Sequence, residues 1–171
     1  MITIICATNR PGNRTQIIAK SYAEILEEIK APNELFFLED YANDFKIEFW
    51  KNSSLNIGSD LTLLLNKSKK VLIVVPEYNG SFPGVLKLLI DSIQPFLFKG
   101  KLIGLIGISS GRAGNVRGMD HLANIFNHLG CLVFPKKLPI SNIENLLIQE
   151  KLVDEKTWDI LKSHAIEFAK V

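Results

Sequence analysis

A doubly wound α/β fold, with a five-stranded parallel sheet between two helical layers, is what the sequence predicts. Short β-branched runs with almost no charge, such as Met1-Ile2-Thr3-Ile4-Ile5-Cys6-Ala7 and Val71-Leu72-Ile73-Val74-Val75, suit strands buried on both faces. Stretches carrying apolar residues at helical spacing separate these runs. The alternation implies right-handed crossovers on both sides of one sheet, in the strand order 2-1-3-4-5.

Each element follows from its own residues. After the first strand, Ile17, Ile18, Tyr22, Ile25, Leu26 and Ile29 mark a helix from about Gln16. Ala31-Pro32-Asn33 breaks the chain before a second strand, Glu34–Leu38, whose end is Glu39-Asp40. A long irregular stretch through Asn56 carries Phe45, Phe49 and Trp50, and these aromatics are expected to cover the core or a subunit contact. Leucines at 61, 63, 64 and 65 place a helix over Ser59–Ser68. The third strand, Val71–Val75, stops at Pro76, and Val85–Phe96 returns to helical spacing, with Pro83 suited to its first turn. Lys101–Ile108 is the fourth strand, and its glycines imply close approach of a helix or ligand. Met119, Leu122, Ile125, Phe126 and Leu129 define a helix that Gly130 ends. Cys131–Phe134 is the fifth strand, 135–142 is extended, and the tail from about Ile143 to Val171 reads as helical in two pieces divided near Val153-Asp154.

Composition narrows the function classes. The chain has 171 residues, 47% hydrophobic and 22% charged, with a net charge of +2, and one domain over residues 1–171 is the simplest organisation. Scattered basic residues argue against a nucleic-acid surface, and no apolar run reaches the length of a membrane span. Cys6 and Cys131 sit in apolar, strand-like contexts and read as core thiols in a reducing compartment. With no secretory signal at the N-terminus, a cytoplasmic location is expected. His121, His128 and His164 have no spacing that suggests a metal site.

In the 2-1-3-4-5 order the sheet reverses between strands 1 and 3, and ligands bind beyond the carboxyl ends at that point. Three loops meet there: Thr8–Thr15, Pro76–Gly84 and Ser109–Gly114. The first is a loop of small, hydroxyl, amide and guanidinium residues running into a helix N-terminus, which suits a phosphate. It is neither GxGxxG nor GxxxxGK[ST], so neither standard nucleotide fingerprint applies. Thr8 and Thr15 hydroxyls, the Asn13 amide and the Arg10 guanidinium are the candidate phosphate ligands, with Gln16 opening the helix beside them. A large flat ring would then lie between the other two loops. Tyr78 would be an aromatic wall and Asn79 an orientable amide, with Pro76 stiffening the turn. Glu77 is expected to act through its backbone N–H. Ser109, Gly111 and Arg112 stand in the third loop, where the 111–114 turn would offer N–H donors to a polar ring edge.

The segment Pro76-Glu77-Tyr78-Asn79-Gly80-Ser81-Phe82-Pro83-Gly84-Val85-Leu86-Lys87-Leu88-Leu89-Ile90-Asp91 resembles the PEYN-x-S-x-PG-x-LKN-x-ID motif of the NAD(P)H-dependent FMN reductases, which include azoreductase- and quinone-reductase-type enzymes. It departs from the motif at Leu88, where Asn is usual. Ala7, Thr8, Arg10 and Thr15 resemble that family's GS-x-R…S phosphate loop, and Gly111-Arg112-Ala113-Gly114 its Gly-rich third loop. The likeness spans Met1 to about Gly130. It implies a flavodoxin-like fold and bound FMN, with NADPH or NADH as co-substrate. It further implies hydride transfer through the flavin to a flavin, quinone, azo or similar acceptor, in a homodimer or homotetramer. No side chain is assigned as a catalytic acid or base. The alternatives are a flavodoxin-like electron carrier, against which the net charge and Arg10 argue, and a flavin-binding sensor without turnover.

Overall fold

β1 (Ile2–Cys6) is buried along its whole length and pairs in parallel with β2 (Asn33–Phe37) on one side and β3 (Lys70–Pro76) on the other. β3 pairs in turn with β4 (Leu102–Ile108). Beyond β4 lie two short parallel segments, β5 (Leu132–Val133) and β6 (Leu138–Ile140). The order is β2-β1-β3-β4-β5, with β6 continuing along β4, as the alternation of elements predicts. The fifth position is split because Pro135 has no N–H to continue the ladder. The residue before it, Phe134, still donates its N–H to the Ile103 carbonyl at 2.8 Å. The structure is a computed structural model describing residues 1–42 and 56–171; Phe45, Phe49 and Trp50 lie outside the described residues.

Side chains alternate across the sheet and build two cores. On one face Ile5, Val71, Ile73, Val75, Ile103 and Leu105 meet apolar residues of α2 (Asn56–Lys67), α3 (Gly84–Ser92) and α4 (Val116–His128). On the other, Ile4, Cys6, Leu72, Val74, Ile106 and Ile108 meet α1 (Thr15–Glu28) and α5 (Glu155–Lys170). The helices fall close to the predicted spans, although α3 stops at Ser92 and a short 3₁₀ turn, Pro95–Leu97, follows it. The strand glycines allow close approach as expected. A Cβ on Gly104 would lie 2.8 Å from Leu72 and 3.0 Å from Phe168, and one on Gly107 would lie 2.2 Å from the Gly114 carbonyl oxygen.

The tail differs from its expectation. Only its second piece is an α-helix, α5, capped by the Asp154 carboxylate, which accepts the Thr157 N–H at 2.8 Å. The first piece is a 3₁₀ turn, Ile143–Leu146, followed by a hairpin of β7 (Leu147–Ile148) and β8 (Lys151–Leu152). Gln149 and Glu150 form its turn with φ of 48° and 59°, a left-handed pair that such two-residue turns require. Leu147 and Leu152 pack on the second core, and this burial overrides the local helical periodicity.

Both cysteines are buried thiols. Burial pushes Cys6 up to about 12 and Cys131 up to about 11. His164 is buried among Tyr22, Phe134 and Phe168. As a neutral ring it donates from Nε2 to the Lys136 carbonyl (3.0 Å) and accepts the Tyr22 hydroxyl at Nδ1 (2.8 Å). Burial holds its pKa below the ordinary value. The unfolded chain therefore takes up a proton near pH 6.5 that the folded chain refuses, so this contribution is complete above that pH and is lost below it. Thermal melts between pH 8 and pH 5 are expected to show Tm falling below about pH 6.5, and His164→Gln, less stable throughout, to lose that component.

Candidate functional site

Loop 1 leaves β1 at Ala7, whose N–H still donates to the Val74 carbonyl (2.9 Å). It is held mainly by its own amide. Asn13 is nearly buried. Its Oδ1 accepts the Gln16 N–H (3.0 Å), and its Nδ2 donates to the Arg10 carbonyl (2.9 Å) and to the Glu39 carboxylate (2.8 Å). The same carboxylate accepts the Gly12 N–H at 3.1 Å, where a φ of +64° favours glycine. Asn13 thus caps α1 and shapes the loop, and its amide has no donor left for a ligand. Thr8 is fully buried. Its hydroxyl bonds the Tyr78 hydroxyl at 2.8 Å and accepts the Arg10 N–H, which ties loop 1 to loop 2 behind the ligand-facing surface.

Loop 2 corrects one expectation. The Glu77 N–H donates to the Ile108 carbonyl at 2.7 Å and extends the β3–β4 ladder by one residue, so it points at no ligand. Tyr78 and Ser81 exchange backbone hydrogen bonds (2.9 and 3.1 Å) around Asn79 and Gly80, with φ of 52° and 77°. This is the Asn-Gly two-residue turn, and it leaves Asn79 exposed at its tip.

Loop 3 is likewise self-bracing. The Ser109 hydroxyl accepts the Gly114 N–H and donates to the Gly111 carbonyl, both at 2.8 Å. Asn115, fully buried, donates from Nδ2 to the carbonyls of Val75 (3.2 Å) and Pro76 (2.9 Å), which fixes the end of β3. Its Oδ1 has no partner among the described residues. The Gly114 N–H is therefore not free for a ring edge, and Gly111 and Arg112 stand exposed outside the cleft lining.

Between the loops opens a cleft of about 1060 Å³. Of the residues expected from the sequence, Arg10, Asn13, Thr15, Gln16, Pro76, Glu77, Tyr78 and Ser109 line it, while Thr8, Asn79, Gly111 and Arg112 do not. Thr15 is 2% exposed, and its hydroxyl has no partner among the described residues. The Arg10 guanidinium is unpaired on the same terms. Elsewhere the rim is braced: Glu144 accepts the Ser110 hydroxyl (2.7 Å) and pairs with Arg14 (2.8 Å). The Ser110 hydrogen bond, more than the arginine, holds the Glu144 carboxyl below the usual range.

A family model described as NADPH-dependent FMN reductase matches residues 1–145. The chain belongs to this family. Among curated members, it is 36% identical over 101 residues to the NAD(P)H-dependent FMN reductase PA1204 of Pseudomonas aeruginosa, an alignment covering 54% of this chain and 52% of that one. It is 27% identical to the FMN-dependent NADPH-azoreductase of Staphylococcus saprophyticus, over 79% of this chain and 73% of that one. It thus spans about half the length of the first of these relatives and about three-quarters of the second. Among solved structures, FerB, an NAD(P)H:(acceptor) oxidoreductase from Paracoccus denitrificans, superposes with a TM-score of 0.78 at 23% identity, covering 99% of this chain and 94% of that one. Megasphaera elsdenii flavodoxin gives 0.63 at 18% identity, with both chains fully covered. These likenesses place the fold in the flavodoxin-like class.

Within this FMN reductase family member, sequence reasoning missed Glu39, Arg14, Glu144, Asn115 and the hairpin residues that wall the far side of the cleft. The Asn79-Gly80 dipeptide was a readable hairpin signal; the others act across tertiary contacts that no local pattern announces. Asn13→Ala removes the hydrogen bonds to the Arg10 carbonyl, the Glu39 carboxylate and the Gln16 N–H, together with the one accepted from the Cys6 thiol. Denaturant unfolding is expected to show a loss of about 1–3 kcal/mol.

Proposed function

We propose that the cleft holds FMN and that the chain passes hydride equivalents from NADPH or NADH to a small acceptor such as a free flavin, a quinone or an azo compound. The observation that carries this reading is Thr15: a residue only 2% exposed at the first position of α1, lining a cleft at the sheet's carboxyl edge, whose hydroxyl has no protein partner among the described residues. A phosphate there meets this hydroxyl, the positive end of the helix dipole and the Arg10 guanidinium together.

The residues fit a flavin phosphate and ring, with a changed division of labour. Arg10 and Thr15 would hold the phosphate, while Asn13 and Glu39 keep the loop open around it. Tyr78, fixed by Thr8, would wall the ring. Ser109 would shape the third side through its hold on Gly114. When bound, FMN supplies the two-electron carrier, and the protein contributes orientation and electrostatics. A rigid, internally satisfied rim limits the reorganisation needed on binding.

We read the whole chain as one such domain acting as a homodimer or homotetramer. Two buried thiols support a reducing, cytoplasmic setting. The purified protein is expected to be yellow, to bleach with NADPH or NADH under anaerobic conditions and to recover its colour on addition of a quinone or azo dye. A colourless protein that takes up no FMN would overturn the reading, and bleaching without turnover would favour an electron carrier or sensor. Arg10→Ala is expected to weaken FMN binding by about 1.5–3 kcal/mol, on the order of 10- to 100-fold in fluorescence titration.

A further inference from the structure

On the side of the Asn79-Gly80 turn that faces α4 stands a pair of basic side chains that the flavin reading does not use. Arg117 and His121 lie four residues apart on α4 and therefore share one face. Both reach loop 2. The Arg117 guanidinium lies over Gly80, with Nη1 3.8 Å from where a Cβ would project. The His121 Nδ1 is 2.8 Å from the Ser81 hydroxyl. When that hydroxyl donates to Nδ1, the imidazole carries its hydrogen on Nε2 and presents a donor outward.

Two features set this pair apart from an ordinary solvated helix face. Arg117 has no ion-pair or hydrogen-bond partner among the described residues, and the nearby carboxylate on the same helix, Asp120, is already paired with Lys137. Arg117 also occupies the first turn of α4, which holds no acidic residue, so its charge opposes the helix dipole with nothing to offset it. An unpaired guanidinium in an unfavourable position, beside an imidazole fixed by a hydrogen bond, suits a bound phosphate. Loop 2 joins the two regions: Tyr78 lines the cleft, and Ser81, three residues on, touches His121.

We propose that Arg117 and His121 form the phosphate-recognition site for the nicotinamide dinucleotide, gripping its phosphate while the nicotinamide enters the cleft beside Tyr78. This rests on the flavin reading for the placement of the nicotinamide, but not for the anion site itself. The dinucleotide offers two kinds of phosphate, the diphosphate bridge common to NADH and NADPH and the 2′-phosphate of NADPH alone.

The test uses the full chain loaded with FMN, with Arg117→Gln and His121→Gln as variants. FMN affinity is first measured by fluorescence, and both variants are expected to match the parent within twofold. Steady-state kinetics should then show KM raised about tenfold with kcat little changed. If the 2′-phosphate is held, the rise is confined to NADPH; if the diphosphate is held, NADH and NADPH rise together. Calorimetric titration with 2′,5′-ADP and with 5′-ADP should show the same split, with affinity lost in Arg117→Gln. Unaltered KM for both nucleotides, or probe binding that is undetectable in the parent or unchanged in Arg117→Gln, would overturn the proposal. A parent protein that takes up no FMN but binds 2′,5′-ADP or 5′-ADP through Arg117 would overturn the flavin reading and leave this site standing.

Discussion

Where β4 passes beneath the third loop there is no space for a side chain, and Gly107 supplies none. A Cβ at that position would reach within 2.2 Å of the Gly114 carbonyl and 3.0 Å of the Asn115 side chain. Because the strand stays bare, loop 3 settles directly on it, and Asn115 reaches across to the carbonyls that end β3. Those carbonyls set the start of loop 2, and loop 2 sets Tyr78. The carboxyl edge of the sheet is therefore one connected frame, and its geometry follows from a close approach that only glycine permits.

Most polar groups in the three loops serve each other. Asn13, Thr8, Ser109 and the Glu77 N–H all look like ligand donors when the chain is read in one dimension. Folded, each closes a hydrogen bond within or between loops. Among the described residues, the first loop keeps the Thr15 hydroxyl and the Arg10 guanidinium facing the cleft without a partner. A rim whose members are already satisfied holds its shape without a ligand, so the few unsatisfied groups are presented in fixed positions.

The strands and their order were legible because parallel-sheet burial leaves uninterrupted apolar runs, and β1, β3 and β4 are such runs. The fifth strand was legible up to Phe134, but its continuation as β6 depends on where loop 3 lies. The hairpin after Leu146 was not legible at all. Its left-handed turn falls on Gln149 and Glu150, residues that favour helices, and only the burial of Leu147 and Leu152 decides between the two states. At the site, the residue types of loop 1 were readable, but their roles were not. The local pattern gives Asn13 no sign that Glu39, 26 residues away, will take its amide.

The two thiols lie within the apolar layers, one on each face of the sheet, and burial keeps both protonated at neutral pH. Sulfur reacts with peroxides and with electron-poor rings chiefly as thiolate. A polypeptide built this way offers such reagents no thiolate at its surface.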